Sequence, residues 1–305
     1  MDVINCFFPQ FTYLSSYVNN DIIAVSGVSI IVYALISRTS NENVWDLKGV
    51  VLLSIGCIIC VLGYLNSYGF VLAGTSAFLI SVFIQARKGQ IFWYQAFKYS
   101  IFFCVICFVV CVPFFVRNFF IYNGDFLGMS TFHKQYVLWL QNGGAKLQNP
   151  YFEKGEIISL LTNSDFWLTS VESFVAYFGY LTIKIGTIGY IFYLLLFYTG
   201  FLGILNLETK NLNFRNYGLS IVSLVFGTLI TFGLFIYYAY RIDFQPQGRY
   251  IMSVLPLFIV FETLGLFRIN NVLIRNNIVI YLTIIIYVLS NIYIFVDKVY
   301  PQIMM

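Results

Sequence analysis

Apolar residues fall along this chain in long unbroken blocks, without the short periods that mark half-buried strands and surface helices. Eight blocks can be read, at about 21–37, 49–66, 68–85, 99–116, 187–206, 217–240, 251–267 and 278–296. Each approaches the roughly 20 residues that an α-helix needs to cross a hydrocarbon layer. Short polar breaks separate most of them, and one longer break covers 117–186. The segment 3–17 reads as a short aromatic helix lying in the interface or in a partial membrane layer. Within the long break, 155–176 reads as one or two amphipathic helices lying at the outer surface. The pattern predicts an all-α membrane protein: one polytopic domain over 1–305, about eight transmembrane helices, and one loop and amphipathic-helix region on the outer face.

Composition sharpens this picture. Of 305 residues, 60% are hydrophobic and only 10% charged, where soluble domains carry about 25% charged residues. The net charge of +4 is spread over many short loops, so nucleic acid is excluded as a partner and membrane lipids are expected. The spread also orients the chain. Arg38, Lys48, Arg87, Lys88, Lys98, Lys210, Arg215, Arg268 and Arg275 fall in alternate loops, which the positive-inside bias places in the cytoplasm. The N-terminus and the segment 117–186 then lie outside. The opening "MDVINCFFPQFTYLSSYVNND" has no basic region and no small-residue cleavage site, so it does not read as a signal peptide.

Few residues carry candidate chemistry. Cys57, Cys60, Cys104, Cys107 and Cys111 lie inside apolar blocks and read as small packing residues, because no His or Asp accompanies them. His133 stands alone and reads as a surface residue. Asn19, Asn20 and Asp21 open the first span; capping explains one of them, and three in a row exceeds what a cap needs. Arg117 follows the fourth span as a headgroup anchor or a phosphate contact, and Asp125 sits in the turn signal "YNGD". Glu262 lies within the seventh span, where an ionisable group is a functional candidate; snorkelling or pairing with a neighbouring loop competes with that reading. Pro113 and Pro256 are expected to kink their helices.

The densest polar cluster is "FQPQGRYIMSVLP", 244–256, on the outer side where an arginine is least expected. Arg249 offers a planar fork suited to phosphate oxygens, and a helix starting near Tyr250 adds an anion-favouring terminus. Arg241 is a second cation nearby. A headgroup anchor is the competing reading.

Three segments carry a resemblance. "FPQFTYLSSYVNNDIIAVSGVSIIVYAL" (8–35), "RNFFIYNGDFLGMS" (117–130) and "QGRYIMSVLPLF" (247–258) together resemble bacterial GT-C-type membrane glycosyltransferases, the relatives of protein mannosyltransferases and of the aminoarabinose transferase. The resemblance implies helices around a cavity open to the outer face of the bacterial plasma membrane. It implies a polyprenyl-phosphate sugar donor and a saccharide, lipid or protein acceptor. Asp21 takes the acidic position and Arg249 the basic position facing the donor phosphate, with Tyr250, Arg241 and Arg117 beside it and Asp125 and Asp243 as further carboxylates. A divalent metal is possible in such enzymes, although no ligand cluster argues for one. The family's first span and acidic outer loop have no counterpart here, so an N-terminally incomplete member is expected. Two other classes compete: a transporter or flippase of lipid-linked saccharides, and a non-catalytic membrane subunit of an envelope-polysaccharide assembly system.

Overall fold

The computed structural model describes residues 6–38, 43–147, 149–179, 181–205, 214–273 and 278–303. Lys210 and Arg275, and the side chains of Arg215 and Arg268, lie outside that description. Helix α1 (Pro9–Ser15) leads into α2 (Asn20–Arg38), α3 (Leu47–Gly63), α4 (Tyr68–Arg87) and α5 (Trp93–Ile121). An outer layer follows: α6 (Met129–Gln141), α7 (Pro150–Glu153), α8 (Ile157–Leu161), α9 (Ser164–Val175) and the strands β1 (Tyr177–Phe178) and β2 (Ile183–Lys184). The chain returns through α10 (Thr187–Leu205), α11 (Phe214–Arg241), a 3-10 segment (Gly248–Val254), α12 (Leu255–Leu273) and α13 (Ile278–Ile294). The protein is an all-α integral membrane protein. Among the described residues six helices are long and apolar enough to cross a membrane, and Leu47–Gly63 and Thr187–Thr199 are shorter apolar helices.

The most enclosed span is Gly248–Phe267, with 67% of its positions buried against 11% for Trp93–Ile121. Its sides divide between two apolar masses. Leu257 and Val260 join Ile31, Leu35, Leu53, Phe78 and other residues of α2 to α5. Leu255, Ile259 and Leu266 join Phe8, Phe178, Tyr193 and Tyr287 from the opposite side. The span is therefore the partition of the bundle, and α5 is a peripheral helix with a largely lipid-compatible surface.

Polar side chains fasten the two ends. At one end the Trp45 indole N–H donates to Ser81 Oγ at 3.0 Å, and the Trp45 backbone N–H donates to Gln85 Oε1 at 3.0 Å. Gln85 Nε2 in turn donates to the Arg38 carbonyl at 3.1 Å. Asp46 caps α3 by accepting from the Gly49 N–H at 2.7 Å and pairs with Arg38 at 3.3 Å. These bonds satisfy the backbone where α2 turns into α3. The opposite end gathers the starts of α2 and α4, the end of α11 and the 3-10 segment, and there the candidate residues meet.

Several local expectations change. The region 155–176 forms two helices as expected, and α9 has two faces: Phe166, Ser170, Ser173 and Val175 are buried against the bundle, while Ser164, Asp165, Leu168 and Val171 are exposed. Helix α6 and the antiparallel β1–β2 pair were not foreseen. Helix α1 is packed into the bundle end, with Phe8 and Leu14 fully buried. Pro256 is the second residue of α12, where a missing N–H costs nothing, so it starts the helix and does not kink it. Pro113 does lie inside α5, which continues past it to Ile121.

Helices α4 and α11 approach backbone to backbone. A Cβ on Gly69 would stand 2.5 Å from the Gly227 carbonyl oxygen, and one on Gly227 would stand 3.1 Å from Gly69 O. Small residues permit this close packing in place of a hydrophobic drive, which lipid does not supply. Gly227→Leu is expected to lower stability by about 1–3 kcal/mol through overpacking. Gly233→Ala, where an added Cβ meets nothing within 4 Å, is the neutral control. Thermal unfolding of both variants in detergent micelles checks this.

Candidate functional site

The three polar residues at the start of α2 divide their work. Asn19 Oδ1 accepts from the Asp21 N–H at 2.6 Å, which is the capping role. Asp21 is buried, and its carboxylate lies near the Tyr64 hydroxyl at the end of α3. Asn66 Nδ2, in the tight link between α3 and α4, donates to Tyr64 Oη at 3.2 Å and to the Tyr250 carbonyl at 3.1 Å. The Asn66 carbonyl accepts from Thr231 Oγ1 at 3.0 Å. One turn residue thus ties α3, α11 and the 3-10 segment together around Asp21.

Arg249 reaches the same place from the other side. After α11 ends at Arg241 the chain runs without helix through the Pro246 region, then enters a 3-10 turn at Gly248. The expected α-helical terminus at Tyr250 is absent: regular α-helix begins at Leu255. The guanidinium, not a helix dipole, therefore supplies the positive charge here. Gly248 fixes the approach, because a Cβ there would stand 2.1 Å from the Ser170 carbonyl oxygen of α9. Its N–H donates to Ser173 Oγ at 2.6 Å. Beyond it, Arg249 Nη2 donates to Tyr250 Oη at 3.4 Å, and the guanidinium lies 5.2 Å from the Tyr250 ring centre. Tyr250 Oη donates to Gln245 Oε1, and Gln245 Nε2 donates to Asp243. The Asp21 and Arg249 charges act on each other across this cluster without a direct ion pair within 4.0 Å. Arg249 Nε is buried and has no hydrogen-bond partner. A buried charged donor of this kind is costly unless an acceptor meets it.

Two cavities flank the cluster. The larger, about 490 Å³, is bounded by Asn20, Tyr64, Asn66, Asn118 and Tyr250 at its polar side and by Phe114, Phe115, Phe126 and Phe132 elsewhere. The smaller, about 80 Å³, has Arg249 and Gln247 in its wall. Asp21, Arg249, Tyr250 and Asp243 are thus brought into one network. Arg241 is not part of it: its guanidinium covers the Phe152 ring at 4.0 Å. Arg117 is exposed and donates to Asn118 Oδ1 at 3.3 Å. Asp125 caps α6, accepting from the Thr131 N–H at 2.8 Å and Ser130 Oγ at 2.9 Å. His133 is exposed on α6.

Glu262 neither snorkels nor pairs with a loop. It is buried between α12 and α13 and accepts from the Tyr287 hydroxyl at 2.9 and 3.1 Å. The cysteines are free thiols, with Cys57 and Cys60 buried. Among the described residues no group of three His, Cys, Asp or Glu side chains could hold a metal ion. Asp21 has an arginine, a tyrosine and an amide as its polar neighbours, which does not suit a divalent cation. Tyr64 and Asn66 were not anticipated; the only sequence sign of them is a polar residue inside an otherwise apolar hairpin, "GYLNSYG". No family model, no curated protein and no solved structure matches the chain.

Two outcomes follow. The amide and hydroxyl donors at the start of α6 hold Asp125 at about 2, below its ordinary 3.8. Because the folded value is depressed, the cap contributes fully above the ordinary value and is lost as pH falls through about 2. The Thr131 amide is expected to keep its exchange protection factor down to about pH 4 and to lose part of it between there and about pH 2; Asp125→Ala should abolish the step. Separately, Tyr287→Phe leaves the Glu262 carboxylate without its donor and should cost about 1–3 kcal/mol. Adding Glu262→Leu should restore most of that loss in the same thermal unfolding assay.

Proposed function

We propose that this chain is a membrane glycosyltransferase that moves a sugar from a polyprenyl-phosphate-linked donor to an acceptor at the extracytoplasmic face. The observation that carries the reading is Arg249: a partly buried guanidinium with an unpartnered Nε, in the wall of the smaller cavity, within electrostatic reach of the buried Asp21 and next in sequence to Tyr250, which lines the larger, aromatic cavity. The arginine offers its fork to phosphate oxygens. Phe114 and Phe115, on the peripheral span α5, give the cavity an apolar wall suited to a lipid-linked ligand arriving from the bilayer.

The acceptor hydroxyl oxygen bonds to the anomeric carbon while its proton passes to Asp21. The bond between that carbon and the phosphate oxygen breaks, and its electron pair stays on the phosphate, whose growing charge Arg249 stabilises. Tyr64 positions Asp21, and Tyr250 braces Arg249. The distribution of cations supports an N-terminal end outside, in a bacterial plasma membrane. A transporter reading would rest on Glu262, which is enclosed between α12 and α13 with the Tyr287 hydroxyl as its donor.

Transfer of labelled sugar from a polyprenyl-phosphate donor, by protein reconstituted in proteoliposomes, tests the reading. Arg249→Ala and Asp21→Asn are each expected to reduce turnover by about 10²- to 10³-fold. Turnover equal to that of the unaltered protein would reject the assignment.

A further inference from the structure

The smaller cavity on the far side of Arg249 is a built site. Gln10 on α1 is only 3% exposed, and its Oε1 accepts from the Tyr177 N–H at 3.0 Å. Its Nε2 lines the cavity and makes no hydrogen bond among the described residues. Tyr13 and Tyr17, with ring centres 5.5 Å apart, form an aromatic wall one helical turn long. Tyr17 is 43% exposed, so its ring face is open to an arriving ligand. Gln247 and Arg249 supply amide and guanidinium donors opposite, and Ser173 completes the floor.

This donor-rich, aromatic-walled shape differs from the larger cavity, whose wall is dominated by phenylalanine and aliphatic groups. A volume of about 80 Å³ corresponds to roughly three water molecules at ~30 Å³ each. It admits a few hydroxyl groups of a ring whose remainder lies against Tyr17. Amides bonding to hydroxyls and a tyrosine face against aliphatic C–H groups are the chemistry of carbohydrate recognition. Neither a lipid chain nor an extended polypeptide uses such a cleft well. The position is also informative: Tyr17 and Arg249 line the small cavity, and their near neighbours in sequence, Asn20 and Tyr250, line the large one.

We propose that the cleft formed by Gln10, Tyr13, Tyr17, Ser173, Gln247 and Arg249 is the acceptor subsite, and that it takes a pyranose unit of a saccharide. The assignment as acceptor rests on the glycosyltransferase reading; the affinity for a pyranose does not.

The test is saturation-transfer NMR on the full chain in nanodiscs, with a panel of methyl pyranosides as probes. Binding by the unaltered protein is expected, weakened about tenfold in Tyr17→Ala and in Gln10→Glu. The second change keeps an acceptor for Tyr177 and replaces the free donor by a carboxylate oxygen. Unfolding temperatures close to that of the unaltered protein confirm that both variants are folded. No transfer to any pyranoside, equal transfer in both variants, or binding of a serine-containing peptide in place of the pyranosides overturns the proposal. Decaprenyl phosphate binding by the unaltered protein, read by intrinsic fluorescence, reports the donor side separately. Absence of decaprenyl phosphate binding by the unaltered protein, with pyranoside binding intact, overturns the glycosyltransferase reading and leaves a saccharide site. The reverse result overturns the subsite and leaves the donor reading standing.

Discussion

Gly248 packed against α9 is the contact on which the functional end of this molecule depends. A polar, proline-containing segment has to enter an apolar bundle, and each exposed N–H in that setting must find an acceptor. Ser173 provides one for Gly248, and the missing side chain lets the α9 backbone close over the segment. That closure sends the following residues down as a 3-10 turn into the most enclosed span. It also fixes Arg249 and Tyr250 on opposite sides of the same backbone, one toward each cavity.

The bundle end works as a set of mutual restraints among polar groups. Asn66 donates to both Tyr64 and the Tyr250 carbonyl, and Thr231 donates to Asn66, so three elements share one small knot. Tyr64 passes that rigidity to Asp21. On the Arg249 side, Tyr250, Gln245 and Asp243 form a second chain of bonds. Side-chain amides and hydroxyls serve better than charges for such positioning in a low-dielectric setting, because each pays a smaller desolvation cost. The two charges are thereby held near each other yet unpaired directly, each with capacity left for a ligand.

The outer layer is part of this arrangement. Helices α1 and α9 and the strands β1 and β2 bury Phe8, Phe166, Val175 and Phe178 among aromatic residues of the spans. Lys184 of β2 pairs with Glu172 of α9 at 2.6 Å, tying the hairpin to the helix. Their packing gives the small cleft its Gln10, Tyr13 and Tyr17 wall, and α6 brings Met129 and Phe132 to the large cavity.

The sequence by itself determined the membrane class, the placement of the apolar helices and the singling out of Asp21 and Arg249. Those features follow from local quantities: unbroken apolar length, and the cost of every charge placed near it. The blocks at 21–37 and 68–85 lie within one or two residues of α2 and the body of α4 because nothing remote competes with hydropathy there. Only the tertiary structure decided which polar residues share a site. Arg117, Arg241 and Asp125 looked equivalent to Arg249 and Asp21 in one dimension, yet they anchor, stack and cap. Gln10 carried no local mark, and Tyr64 and Asn66 only a polar break in an apolar hairpin, since their roles come from partners as far away as Tyr250 and Tyr177. Nor could the sequence show that the buried face of α9 meets Gly248, a contact made between residues 75 positions apart. Hydropathy sets where a helix lies in a bilayer; long-range packing sets which of its side chains meet.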